Sequence, residues 1–234
     1  MTRTPTYELR DRIALITMDD GKANAVSAQL IEGFHDCLTR AEREADAVLL
    51  AGRPGRFSGG FDLSVMTSGI EPMRKLVIGG AELLVRLYSF PRPVITACTG
   101  HALAMGALLL LASDRRVGAR GDFKIGLNEV RIQMTLPMFG MELARDRISK
   151  RHFTQATSQA RIYDPDGAVD AGYLDATVPA DTLLATAETV ARELAGLPHP
   201  AFRETKRRER AETIDRIRRT LEADVAALTT PRPD

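Results

Sequence analysis

Two stretches of this 234-residue chain carry glycine in patterns suited to ligand chemistry. The first, Arg56-Phe57-Ser58-Gly59-Gly60-Phe61-Asp62-Leu63, follows the apolar run Ala47 to Ala51, and its paired glycines let the backbone approach a ligand or adopt positive φ. The second, Gly100-His101-Ala102-Leu103-Ala104-Met105-Gly106-Ala107, follows Pro93 to Cys98 and runs into an apolar helix over Leu108 to Ala112. A helix that opens directly after a tight loop of small residues leaves backbone N–H groups unpaired and carries partial positive charge at its start, so it can hold an anion. Two such loops facing each other would aim a pair of donors at one oxygen on which negative charge develops. The competing reading is that the glycines only permit turns. Asp62 is placed to accept backbone hydrogen bonds and start the next helix, and His101 to be a packed histidine rather than a base. His35, His152 and His199 are scattered, and Cys37 and Cys98 have no CxxC or Cys/His spacing, so no metal site is expected.

Loops of this kind gain function at the strand ends of an open α/β sheet, and the surrounding sequence supplies one. Tyr7 to Thr17 predicts a hairpin whose second strand is the apolar run Ile13 to Met18, closed by Asp19, Asp20 and Gly21. Ser27 to Arg43 sets Leu30, Ile31, Phe34, Cys37 and Leu38 at helical spacing, with Ser27 as N-cap. The runs Ala47 to Ala51 and Pro93 to Cys98 suit strands buried on both faces, joined by a crossover helix over Pro72 to Tyr88. A third strand at Arg115 to Ala119 and a fourth at Phe123 to Ile125 are expected to extend the same sheet. After Arg147 the character turns helical, apart from a short extended piece at Tyr173 to Val178. Leu183 to Leu197 predicts one helix, broken by Pro198 and Pro200, and Arg203 to Leu228 a highly charged one. The chain therefore reads as an α/β core over residues 1–150 followed by a helical region over 151–234.

Lys and Arg number 32 against 31 Asp and Glu, a net charge of +1, so no global field points to nucleic acid or a membrane surface. The N-terminal sequence lacks the order of a signal peptide, and no apolar run reaches about 18 residues, so a soluble cytoplasmic protein is expected.

The sequence FSGGFDL resembles the F-(C/S)-x-G-x-D-(L/I) loop of the crotonase superfamily, the enoyl-CoA hydratase/isomerase family. PVITACTGHALAMGALLLLASD resembles that family's P-(V/I)-I-A-x-(V/I)-x-G-x-A-x-G-G-G-x-x-L-x-x-x-x-D stretch, and GLNEVRIQMTLP follows in the family's order. The resemblance covers roughly Ile13 to Ser149 and is weaker beyond. It implies the ClpP/crotonase-like fold of repeated ββα units with C-terminal helices that complete the pocket and pack against neighbours in a homotrimer or dimer of trimers. It also implies an acyl-CoA thioester substrate, and no cofactor apart from the coenzyme A that the substrate carries.

Carried over position by position, the main-chain N–H groups of Phe61 and Met105 would form an oxyanion hole for the thioester carbonyl. Of the two glutamates with which the family's hydratases activate water, one aligns with Leu108, which moves no proton, and the other with Glu129. Apolar Leu127, Val130 and Ile132 beside Glu129 would partly desolvate it and raise its pKa, although a surface glutamate is the commoner fate. Lys22, Ala23 and Ala25 in a turn similar to the family's, together with Gly59, Gly60 and Lys206, are the expected coenzyme A contacts. Leu108, Met66 and Met138 would line the acyl pocket, which Met105 would narrow. A single carboxylate can lift a proton from one carbon and return it to another, so double-bond isomerisation is expected first. Hydration by Glu129 alone and a non-catalytic acyl-CoA-binding protein are the alternatives.

Overall fold

In the computed structural model, which describes residues 5–228, β1 (Thr6–Arg10) folds back on β2 (Ile13–Thr17) with Tyr7 opposite Ile16. The two turn residues Asp11 and Arg12 both take positive φ, 44° and 64°, which matches the twist of a two-residue hairpin. Helix α1 (Ala28–Glu44) starts where Ser27 Oγ accepts the Leu30 N–H at 3.2 Å, and its spacing buries Leu30, Ile31, Phe34, Cys37 and Leu38 on one face. Strand β3 (Ala47–Ala51) then lies parallel to β2.

From here the chain repeats one plan. A strand of the main sheet is followed within a few residues by a strand of a second sheet, and then by helix. The first repeat is β3, β4 (Gly55–Ser58), α2 (Leu63–Met66) and α3 (Ile70–Tyr88). The second is β5 (Val94–Cys98), β6 (Gly100–Leu103) and α4 (Met105–Leu111). The third is β7 (Arg115–Ala119), β8 (Ile125–Gly126), a 3-10 turn over Glu129–Ile132 and α5 (Met138–Arg147). After the short helices α6 (Phe153–Ala156) and α7 (Pro165–Ala171), β9 (Ala176–Val178) joins the edge of the main sheet, and α8 (Leu183–Ala195) and α9 (His199–Ala227) follow.

The main sheet runs β1-β2-β3-β5-β7-β9, parallel except for the hairpin; the second is the parallel β4-β6-β8. The strand expected at Phe123 to Ile125 therefore does not extend the main sheet: it is β8, two residues long, in the second one. Strands β4 and β6 sit where the sequence suggested only glycine loops. Their first residues, Gly55 and Gly100, are register partners, and segments this short and glycine-rich carry no apolar alternation to reveal them.

The continuous apolar runs have the cause expected of doubly covered strands. On one face Ile16, Val48 and Leu50 meet the core under α1, α3 and α4. On the other, Leu15, Leu49, Ile95 and Val117 are covered by Leu183, Ala187 and Ala191 of α8. Helix α8 ends at Ala195 with Gly196 as its C-cap, Pro198 precedes α9 and Pro200 fits its first turn, so the charged helix begins four residues before its expected start at Arg203. It packs on α3 and α5. The ends of the expected regions, 1–4 and 229–234, lie outside the described residues.

Candidate active site

Each glycine loop lies at the carboxyl end of a second-sheet strand, and the first is held by the turn after β2. Asp20 accepts the N–H groups of Lys22, Asn24 and Ala25 at 2.7, 2.9 and 3.2 Å. Asn24, at φ 52°, donates through Nδ2 to the carbonyls of Met18, Arg56 and Phe57. Gly59 N–H then reaches Ala23 O at 2.8 Å, Val26 N–H reaches Gly60 O at 2.8 Å, and Asp62 N–H reaches Val26 O at 3.1 Å. The expected coenzyme A contacts Lys22, Ala23, Ala25, Gly59 and Gly60 are thus one contiguous patch, with Lys22 and Ala23 exposed. Because Val26 takes the bonds on either side of Phe61, the Phe61 N–H faces the other way, and it has no acceptor among the described residues.

The second loop meets the first at Gly60. This residue sits at φ 101°, and a Cβ there would lie 3.0 Å from Ala104 Cβ and 3.6 Å from Met105 N, so only glycine allows the approach. Ala104 itself turns at φ 49° and ψ −122°, a conformation that alanine rarely adopts, and delivers the chain into α4 with Met105 as its first residue. The Met105 N–H likewise has no acceptor among the described residues. The Met105 side chain is buried and lies near Gly80 of α3, beside the Phe61 ring, outside the lining of the cavity described next.

Between these loops and the 3-10 turn lies a cavity of about 280 Å³, lined by Gly59, Phe61 and Ala104, by Met66 and Leu108, and by Glu129. Glu129 is the acidic residue in that lining, 7 % exposed, and its Oε2 has no hydrogen-bond partner among the described residues. Burial, opposed only by its own backbone N–H, pushes its carboxyl up to about 7. Of the three apolar neighbours expected to desolvate it, Leu127 is buried and Ile132, 39 % exposed, lines the same cavity, whereas Val130 is 46 % exposed and outside the lining. The cavity wall, which includes Ile132 and Leu108, the latter at 1 % exposure, shields the carboxylate.

Two further site candidates, Met138 and Lys206, lie outside the lining of this cavity. Met138 is not in the lining; it starts α5 and gives its N–H to Asp224 at 2.7 Å, while its neighbours Pro137 and Phe139 face the cavity. Lys206 is 4 % exposed, with its Nζ 2.7 Å from Asp114, which Arg210 also pairs at 2.7 Å. Burial, partly offset by Asp114, pulls the Lys206 ammonium down to about 8, and in this chain the side chain holds α9 on the core through Asp114. Asp62 Oδ1 caps α2 through Ser64 N–H at 2.9 Å, and His101 Nδ1 accepts the Lys124 N–H at 2.9 Å with its ring edge-on to Phe123. Among the described residues no three His, Cys, Asp or Glu side chains group as a metal site, and no helix is long and apolar enough to cross a membrane.

Sequence reasoning missed Asn128, whose buried Oδ1 lacks a partner next to Glu129, and the cavity residues Val77, Phe139 and Leu228. Asn128 was findable as the neighbour of a candidate base. The other three come from helices remote in sequence, where a wall residue and a core residue have the same apolar pattern.

An apolar cavity with two free amides from converging loops and one carboxyl group poised near neutrality can hold a carbonyl oxygen and move a proton on an adjacent carbon. The family described as enoyl-CoA hydratase/isomerase matches residues 8–232. An enoyl-CoA hydratase/isomerase family protein from Pseudomonas syringae is similar at 42% identity and TM-score 0.94, over 96% of this chain and 97% of that one. A Mycobacterium tuberculosis protein described in one structure as an enoyl-CoA isomerase and in another as a probable enoyl-CoA hydratase shows 38% identity and TM-score 0.93 over 97% and 100% of the two chains. An enoyl-CoA hydratase from Mycobacterium marinum shows 39% identity and TM-score 0.91 over 96% and 99%. With the repeated ββα units and the paired glycine loops, these matches place the chain in the enoyl-CoA hydratase/isomerase family of the crotonase superfamily.

Proposed function

We propose that the chain isomerises enoyl-CoA thioesters, moving a double bond from the 3- to the 2-position with Glu129 as the single base. The observation that carries this reading is the unpartnered Glu129 carboxyl, raised to about 7, facing a cavity where Leu108 stands at the position of the second hydratase glutamate. The thioester oxygen accepts the N–H groups of Phe61 and Met105. The Glu129 carboxylate removes a proton from the carbon next to the carbonyl, and the released electron pair spreads into an enolate that the two amides stabilise. The carboxyl then returns that proton to the far carbon of the former double bond, which leaves the alkene conjugated with the thioester and Glu129 ionised again. The apolar Leu108 offers no group to orient water, which disfavours addition. Coenzyme A would lie along Lys22, Ala23, Ala25, Gly59 and Gly60. By resemblance to the family, the assembly is a homotrimer or a dimer of trimers.

The test compares wild type with Glu129→Gln on a 3-enoyl-CoA, followed by the absorbance of the conjugated product, and on crotonyl-CoA for water addition. Isomerisation is expected to fall by about 10²–10⁴-fold in the variant, the usual worth of a positioned proton-transfer group. A strong wild-type hydration rate that the variant abolishes would instead assign a hydratase. Binding without turnover over a panel of acyl-CoAs, unchanged in the variant, would assign a non-catalytic binder.

A further inference from the structure

The part of the cavity wall that the glycine loops and the Glu129 turn do not build includes Val77 of α3, Phe139 of α5 and Leu228, the residue just past α9. Val77 and Phe139 sit within helices. Leu228, 7 % exposed, is held in place by ties from the last turn of α9. Asp224 Oδ2 accepts the Met138 N–H at 2.7 Å, capping α5, which has no side-chain cap of its own. A carboxylate at that end also suits the partial positive charge of the helix start. On the other side the Arg74 guanidinium of α3 donates to the Ala226 carbonyl, one of those that a helix end leaves without an intrahelical partner. Val225, 2 % exposed, packs into the core between these two ties. The end of α9 is therefore fastened once to each of the helices that carry the other two wall residues.

The geometry points to Leu228 as the residue that limits the length of acyl chain the cavity accepts, with Asp224 and Arg74 as the residues that position it. The inference rests on the cavity being the acyl site of a coenzyme A thioester, and it is independent of which reaction follows. Its test is binding, so that it can fail separately from the isomerase reading: calorimetric affinities of saturated, unreactive acyl-CoAs of short, medium and long chain are measured on wild type, Leu228→Ala, Leu228→Phe, Asp224→Ala and Asp224→Asn. Leu228→Ala is expected to raise the long-to-short affinity ratio by about tenfold, within the range that a few methylenes command in an apolar pocket, and Leu228→Phe to lower it. Asp224→Ala should move the profile in the direction of Leu228→Ala, whereas Asp224→Asn keeps an acceptor for the Met138 N–H and should keep the wild-type profile. Length profiles that stay unaltered in both Leu228 variants, or that shift equally at every chain length, would overturn the inference. A profile that responds to Leu228 in a protein that moves no double bond would retain it and remove the isomerase instead. Leu228→Phe keeps the question open to measurement should the alanine variant fold poorly.

Discussion

One oxygen of the buried Glu129 carboxyl has no partner among the described residues, and that has two consequences of opposite sign. As the base of the proposed isomerisation it must be ionised, so kcat/KM for that reaction should rise with pH through about 7 and be lost below it as the carboxylate takes up a proton. For stability, the folded carboxyl binds its proton more tightly than the unfolded one, so the native state loses stability as pH rises from about 4.5 to 7. A displacement of that size is worth about 3 kcal/mol. Glu129→Gln should therefore unfold at higher temperature than wild type at pH near 8, with the difference gone near pH 4; equal melting at both pH values would contradict the burial of a free carboxylate. The sequence indicated this residue chiefly through its resemblance to the family's motif; of the three apolar side chains expected to bury it, Leu127 is buried and Ile132 lines the cavity, while Val130 is exposed. Lys206 shows the reverse: a basic run on a charged helix gave no sign that one member is buried against Asp114, because that partner lies 92 residues away.

At the scale of elements, what the repeated ββα unit delivers is a pair of loops touching at Gly60 and Ala104. Gly60→Ala would place a methyl 3.0 Å from Ala104 Cβ and 3.2 Å from Leu103 O on a backbone at φ 101°, and the loops must part to relieve it. Moving one of two amide donors off its target should lower kcat by about 10²–10³-fold, while the acid limb of the pH profile stays where Glu129 sets it. Activity within about twofold of wild type would show that the contact of the two loops is not what aligns the amides. The long elements were legible because their apolar spacing is set by burial: α1, β3, β5 and α3 all lie where the sequence placed them, within two residues. The second sheet was not, because β4, β6 and β8 are two to four residues long and are defined by backbone pairing to one another rather than by side-chain alternation.

The whole molecule closes the site from a distance. Helix α8 covers the face of the main sheet that the crossover helices leave open, and α9 is pinned by Lys206 and Arg210 to Asp114 and by Arg210 to Tyr88 O at 2.7 Å, so its far end arrives at the cavity as Leu228. The placement of α9 has no local sequence signal, because it depends on buried Lys206 and Arg210 meeting Asp114, whereas α8 is placed by the apolar Leu183, Ala187 and Ala191. The core claim, that two peptide amides and one carboxylate converge on a thioester, spans all of this architecture and is tested most directly by a crystal structure with an unreactive acyl-CoA bound. The thioester oxygen should lie about 2.7–3.1 Å from the nitrogens of both Phe61 and Met105, with the Glu129 carboxylate beside the adjacent carbon. A thioester whose oxygen points away from both nitrogens, or whose acyl chain avoids the cavity lined by Glu129, would contradict it.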